Sequence, residues 1–184
     1  MPLTKGKSNG LLITAGVIFT AIAGFGIYVG RQFYLLYDAP YKVVGAKIYS
    51  IDNARVKITL YIGLLNKGNV SLSVTEQEYN IFINGIFVSN IKSGSAFIKA
   101  NGETLLPLNI DVDTSKLISS VTQNLLTLLT DKSKLNIAVR GKLSVRANVA
   151  GIKGIIKLKD YPISFDYTLA EIIALSKQPP SPTT

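Results

Sequence analysis

The chain has 184 residues, a formal charge of +9, 47% hydrophobic residues, and neither cysteine nor histidine. Without cysteine there are no disulfides and no thiolate metal sites; without histidine the usual general base near neutral pH and the commonest metal ligand are both missing. The length suits one ordinary domain plus an accessory segment.

After a polar N-tail over residues 1–10 comes "LLITAGVIFTAIAGFGIYVG", residues 11–30, which carries no charged side chain. As a helix rising about 1.5 Å per residue it matches the roughly 30 Å hydrocarbon core of a bilayer. This predicts one transmembrane helix with an interfacial extension, together covering residues 11–37. Lys5 and Lys7 precede the run, and Tyr28, Arg31, Phe33, Tyr34 and Tyr37 gather at its far end, where amphipathic rings settle among headgroups. The rival is a cleaved secretory signal, with Lys5 and Lys7 as the positive region and Ala21-Ile22-Ala23 as the cleavage site. An apolar run continuing past Ala23 to Gly30 suits an anchor better. A buried core helix is disfavoured because no polar face interrupts the run. The basic bias before the helix is slight. It favours a cytoplasmic N-terminus, with the rest of the chain on the non-cytoplasmic side of a cell membrane, or in the membrane of a virion.

Beyond the anchor, "YDAPYKVVGAKIYSIDNARVKITLYIGLL" reads as two strands joined by the polar turn Ile51-Asp52-Asn53-Ala54. Val56, Ile58, Leu60, Ile62 and Leu64 fall on one face, the expected core; Lys57, Thr59, Tyr61 and Leu65 fall on the other. In "EYNIFINGIFVSNI", Asn84-Gly85 between alternating hydrophobics predicts a two-residue type I′ hairpin, entered through Tyr79, Ile81 and Ile83. "ETLLPLNIDVD" places Leu106, Leu108, Ile110 and Val112 at spacing two, and Pro107 assigns this strand to an edge or a bulge.

From Asp113 the period becomes helical: Leu117, Val121, Leu125 and Leu128 or Leu129 recur at three and four, with Asp113 or Thr114 as cap. "LNIAVRGKLSVRANV" restores period two, with Ile137, Val139, Gly141, Leu143, Val145 and Ala147 inward and Arg140, Lys142, Ser144 and Arg146 outward. "IIKLKDYPISFDYTL" reads as a last hairpin with Ile163, Phe165, Tyr167 and Leu169 in phase, and residues 173–184 as a flexible Pro-rich tail. The fold class is therefore mainly β: an antiparallel β-sandwich of about seven strands with one α-helix, spanning residues 38–172 behind the transmembrane helix.

Residues 39–170 resemble, in layout, the type-2 late embryogenesis abundant (WHy-domain) family. The order of "LYIGLLNKGN", "YNIFINGIFV", "IKANGETLLPLNI" and "IAVRGKLSV" is what carries the likeness. The family's proline between two asparagines is replaced by Lys67-Gly68, which lengthens and loosens that turn. The resemblance implies an antiparallel sandwich with one helix, no catalytic residues, attachment behind a membrane helix in one branch, and roles in stress protection and partner binding.

Lys132, Lys134, Arg140, Lys142, Arg146, Lys153, Lys157 and Lys159 make the late strands strongly basic. If those strands pair, their outward faces merge into a surface able to meet anionic lipid or an acidic partner, or else form a solvated face that protects an edge. Nucleic acid is disfavoured because aromatic residues do not alternate with the basic ones between Lys132 and Lys159. Asp111 and Asp113 suit capping better than cation binding, and Glu76 and Glu78 suit surface charge better than acid/base catalysis. Asn69-Val70-Ser71 fits a glycosylation acceptor by chance. The expectation is a non-enzymatic, single-pass membrane module without cofactor or metal, whose partners are the bilayer and a protein. Its alternative is a structural component of a larger membrane-containing assembly such as an envelope complex or virion, where Tyr61, Leu65 and Phe87 meet neighbours.

Overall fold

The computed structural model describes residues 8–37, 39–51, 55–113, 135–149 and 152–178, with side chains from residue 20 onward except at 36, 148, 149, 152 and 153. Helix α1 (Ser8–Tyr37) leads into eight strands among the described residues: β1 (Tyr41–Ile51), β2 (Arg55–Asn66), β3 (Leu72–Ile83), β4 (Ile86–Ser93), β5 (Ala96–Ile98), β6 (Gly102–Asp113), β7 (Asn136–Val149) and β8 (Ile152–Thr168). A short helix, α2 (Leu169–Ser176), follows. The expected helix through Leu117, Val121 and Leu125, the turn at 52–54 and the chain beyond 178 lie outside the described residues.

All described strand pairs are antiparallel, and they form two sheets. The smaller has the order β1-β2-β6, and the larger runs β4-β3-β7-β8 with β5 added to β3. The predicted inward sets meet between the sheets: Val56, Ile58, Leu60, Ile62 and Leu64 from β2, Leu106, Leu108, Ile110 and Val112 from β6, and Tyr79, Ile81, Ile83, Ile137, Val139, Leu143, Val145 and Ala147 from the larger sheet, all buried in one contiguous cluster. Alternation therefore picks out the inner set, each large aliphatic contributing about 1.5–3 kcal/mol on full burial, although Thr59 and Gly63 on the other face of β2 are buried as well. Pro107 sits on β6, an edge strand of its sheet, where its missing N–H breaks no ladder.

Turn chemistry fixes the register. Asn84 (φ 47°) and Gly85 (φ 80°) occupy the left-handed region that a type I′ hairpin requires. Asn84 is further held to the start of β7, where the backbone N–H of Asn136 donates to its side-chain Oδ1. The turn at Asn66-Lys67-Gly68-Asn69, expected to be loose, is pinned instead. The buried Asn66 carboxamide donates to the carbonyls of Val70 (2.9 Å) and Lys99 (3.0 Å) and accepts from the Gly68 N–H at 2.9 Å. These bonds supply locally the rigidity that proline supplies through its ring.

Two expectations at the C-terminal end change. The segment expected to form a hairpin is one continuous strand, β8, bent by a bulge opposite Leu143–Val145 where Asp160 takes φ 54°. Strand also gives way to helix at Leu169. Thr168 and Glu171 form a reciprocal capping box, and α2 then buries Leu169 and Ile172 in the core.

Candidate membrane-facing surface

Helix α1 does not hang from the sandwich on a linker. Its second half lies against one end of it, here called the base, which holds the turns around residues 67–71 and 99–101 and the paired ends of β7 and β8 at Val149 and Ile152. The Tyr28 hydroxyl donates to Asn69 Oδ1 at 2.9 Å. Tyr28 and Val29 are half-buried against the core, and Gln32, one turn further, is 6% exposed. Gly68 makes room for it: a Cβ there would come within 2.7 Å of Gln32 Oε1. Tyr37 meets Tyr161 edge to face, with centroids 6.5 Å apart, and the Tyr161 hydroxyl donates to the Ala39 carbonyl at 2.8 Å. Of the expected interface residues, Tyr28 thus packs on the sandwich, whereas Arg31, Phe33, Tyr34 and Tyr37 are exposed. The engagement of Asn69 by Tyr28 makes this residue part of the helix seat, which accounts for it without a glycan.

Residues 20–27 of α1 extend past the base with every side chain exposed, including Ile22, Phe25 and Ile27. Among the described residues no helix is long and apolar enough to cross a membrane. The first half of the expected span at 11–30 lies outside the described side chains.

The basic residues lie on the outer face of the larger sheet, and register sorts them into rows. Midway along the sheet, Lys92, Glu78 and Lys142 are cross-strand partners on β4, β3 and β7. Lys142 Nζ stands 3.4 Å from both Glu78 Oε2 and Asp160 Oδ1, the latter aimed there by the β8 bulge. The neighbouring row joins Asn90, Asn80, Arg140 and Ser164. Arg140 is tied by an ion pair to Asp166 at 2.7 Å and by bonds to the carbonyls of Val139 and Phe165. A hydrogen bond from Asn90 and the Lys142 ammonium hold the Glu78 carboxyl below the usual carboxylate range, while Glu78 and Asp160 hold Lys142 above the usual lysine range. Both groups are therefore fixed in their charged forms near neutral pH. A cleft of about 410 Å³ bordered by Glu76, Glu78, Lys92, Lys142, Ser144 and Asp160 sits on this compensated ground.

Beneath these rows, Tyr79 is the cross-strand partner of Gly141. An added Cβ at Gly141 would meet the Tyr79 ring at 2.5 Å and the Glu78 carbonyl at 2.8 Å, so only glycine admits the ring. Burial pushes the Tyr79 phenol well above its usual range, and its hydroxyl bonds Gln77 Oε1 at 3.0 Å.

Toward the base the chemistry changes. Phe97, Ser73, Arg146 and Lys157 form one row across β5, β3, β7 and β8, all exposed, with Phe97 at 59%. Lys99 follows Phe97 by two residues, and Lys159 follows Lys157 by two; both are exposed. Among the described residues none of Lys99, Arg146, Lys157 and Lys159 takes part in an ion pair. The side chain of Lys153, at the tip of β8, and the whole of Lys132 and Lys134 lie outside the described residues. Phe97 and Lys99 were not foreseen, because only the pairing of β5 with β3 puts Phe97 on the row of Arg146, with Lys99 just beyond.

The remaining candidates have local partners. Asp111 receives a two-pronged contact from Arg55 (2.6 and 2.7 Å), which holds its carboxyl below the usual range, with Lys57 3.9 Å away. Glu76 accepts from the Ser144 hydroxyl at 3.4 Å. Among the described residues no group of three or more acidic side chains is gathered around a metal-sized space.

No family model matches the chain, and no curated protein matches it. The structure is similar to a solved protein from Archaeoglobus fulgidus at 15% identity and TM-score 0.44, covering 70% of this chain and 97% of that one. It is also similar to one from Arabidopsis thaliana at 16% identity and TM-score 0.46 (70% and 80%). A solved late embryogenesis abundant (LEA) protein matches at 10% identity and TM-score 0.44 (91% and 94%). Likenesses of this grade assign no family, and the β-sandwich stands on its own strand pairing.

Proposed function

We propose that the chain is a non-catalytic, single-pass membrane tether. Its helix α1 holds a β-sandwich at the bilayer surface, on the non-cytoplasmic side or on a virion membrane, and the faces of the sandwich bind a protein partner. Among the described residues, six of the ten exposed large hydrophobic side chains, namely Ile22, Phe25, Ile27, Phe33, Tyr34 and Tyr37, lie on α1, and this distribution carries the proposal. Such a concentration on one projecting helix is costly in water and costs nothing in lipid with an aromatic belt at its rim. The absence of catalysis is supported by the state of the acidic cleft. Glu78 and Lys142 neutralise one another, so neither is poised to exchange a proton near neutral pH.

Alkaline carbonate extraction of membranes carrying the full chain tests the tether. The protein stays with the lipid pellet, and Ile22→Asp with Ile27→Asp shifts it to the supernatant. Release of the unaltered chain by carbonate overturns the assignment.

A second role, as a block in a larger membrane-containing assembly, is favoured by the opposite end of the molecule. There Phe87, 54% exposed beside the β3–β4 hairpin, stacks edge to face on Phe82. Purification in mild detergent separates the two: a fixed multi-subunit particle supports the assembly, and a monodisperse monomer the tether.

A further inference from the structure

The two kinds of ground on the outer face lie at different distances from the anchor. Arg140 and Lys142, midway along the sheet, are compensated by Asp166, Glu78 and Asp160. Arg146 and Lys157 sit at the base. Lys99 lies two residues from Asn101, whose N–H donates to the Gly68 carbonyl, and Gly68 is the residue against which Gln32 of α1 packs. Of the uncompensated cations, Lys99 thus borders the place where the anchor helix leaves the sandwich, while Arg146 and Lys157 share a row with the exposed phenyl ring of Phe97, Ser73 standing between.

We infer that Phe97, Lys99, Arg146 and Lys157 form a docking surface for anionic phospholipid headgroups, which draws the base of the sandwich down onto the bilayer that α1 enters. The inference rests on the tether proposal, because α1 is what keeps this surface within reach of the lipid. Three features select lipid as the occupant. The patch is charged oppositely to an anionic leaflet. It combines cations with one aromatic ring able to enter the headgroup region. It also lies at the end where the helix carrying Ile22, Phe25 and Ile27 projects. The nearest acidic residues by register are Glu76, on the next outward row, where it accepts from Ser144, and Asp160, in the bulge opposite Ser144, where it pairs with Lys142; Glu103 belongs to the smaller sheet, close to Gly63. At about 1 kcal/mol per cation near an anionic surface, three cations shift the docked population by roughly 100-fold.

The chain contains no tryptophan, so a single introduced one reports unambiguously. The full chain is reconstituted into vesicles of phosphatidylcholine alone, or of phosphatidylcholine with about a third phosphatidylglycerol, with tryptophan placed by Phe97→Trp, by Phe87→Trp at the far end, or by Ile22→Trp on the helix. The expected result is blue-shifted emission from position 97 and quenching by brominated lipid in the anionic vesicles only. Both are lost on adding Lys99→Gln, Arg146→Gln and Lys157→Gln, while position 87 stays water-exposed throughout. If position 22 is quenched but position 97 remains in water in anionic vesicles, the docking surface is overturned and the tether stands. If position 97 is quenched equally in neutral vesicles and after the three substitutions, the electrostatic basis is overturned. If position 22 itself is not quenched, tether and docking surface fall together.

Discussion

The middle and the base of one sheet face carry the same kinds of residue to opposite effect. In the middle, every outward cation of β7 stands beside a carboxylate supplied by β3 or β8, and the face is a closed network of ion pairs and carboxamide bonds. At the base, Arg146 and Lys157 are direct cross-strand neighbours of like charge, with serine and phenylalanine completing the row. Like charges placed opposite one another weaken strand pairing. Net charge in the sequence therefore says little about where charge is available; that depends on which residues the register brings together. A basic strand can be neutral over half its length and strongly cationic over the rest.

The largest expected effect concerns the platform under the compensated rows. Tyr79→Ala removes a buried aromatic and costs about 3–5 kcal/mol, read as a lower denaturation midpoint; the outward row of Glu78 and Lys142 loosens with it. Gly141→Ala, which drives a methyl group into the Tyr79 ring, costs about 1–3 kcal/mol in the same measurement. Next comes a direct attempt to narrow the difference between the two halves. Asp160→Asn with Asp166→Asn removes the carboxylate partner of Arg140 and one of the two partners of Lys142, which keeps Glu78, so attraction to anionic vesicles rises by roughly fivefold for the released Arg140 and weakens with added salt. Unchanged attraction in that double variant would show that the mid-face cations lie too far from the bilayer to take part.

Acid offers a gentler version of the same test. Glu78 and Asp111 have lowered values in the folded chain, so their pairs contribute stability at and above the ordinary carboxylate range near pH 4. That contribution is lost as the pH falls through the lowered values. Lys142 is raised, so its share is complete below the ordinary lysine value and is lost only as the pH climbs through the raised one. The Tm accordingly falls between about pH 5 and pH 3 and is flat from about pH 6 to pH 9. The smallest expected effect is Lys157→Gln, which raises Tm slightly, because it relieves the like charge opposite Arg146 while no described contact depends on that ammonium.

Strand faces were legible because a buried face needs alternation, and the inward residues of β2, β6 and β7 follow from spacing alone. The β3–β4 hairpin was legible because Asn84-Gly85 suits few other conformations. The start of α2 was written as Thr168-x-x-Glu171, but the alternation of Ile163, Phe165 and Tyr167 runs straight into Leu169 and conceals it. The division of the basic face was not legible. It depends on a bulge at Asp160 and on β5 extending the edge of β3, and both are decided by three-dimensional pairing. Nor does local sequence reveal that Asn66 stiffens its turn, since one of its bonds reaches the Lys99 carbonyl across the fold.

Helix α1 runs without interruption from Ser8 to Tyr37, and its last turns are seated on the sandwich through Tyr28, Val29 and Gln32. Such a joint has no swivel. Any rotation or tilt of the rod is handed directly to the block above it, so the sandwich keeps one bearing about the helix axis. Rod and block therefore turn as one body, as a mast and its vane do.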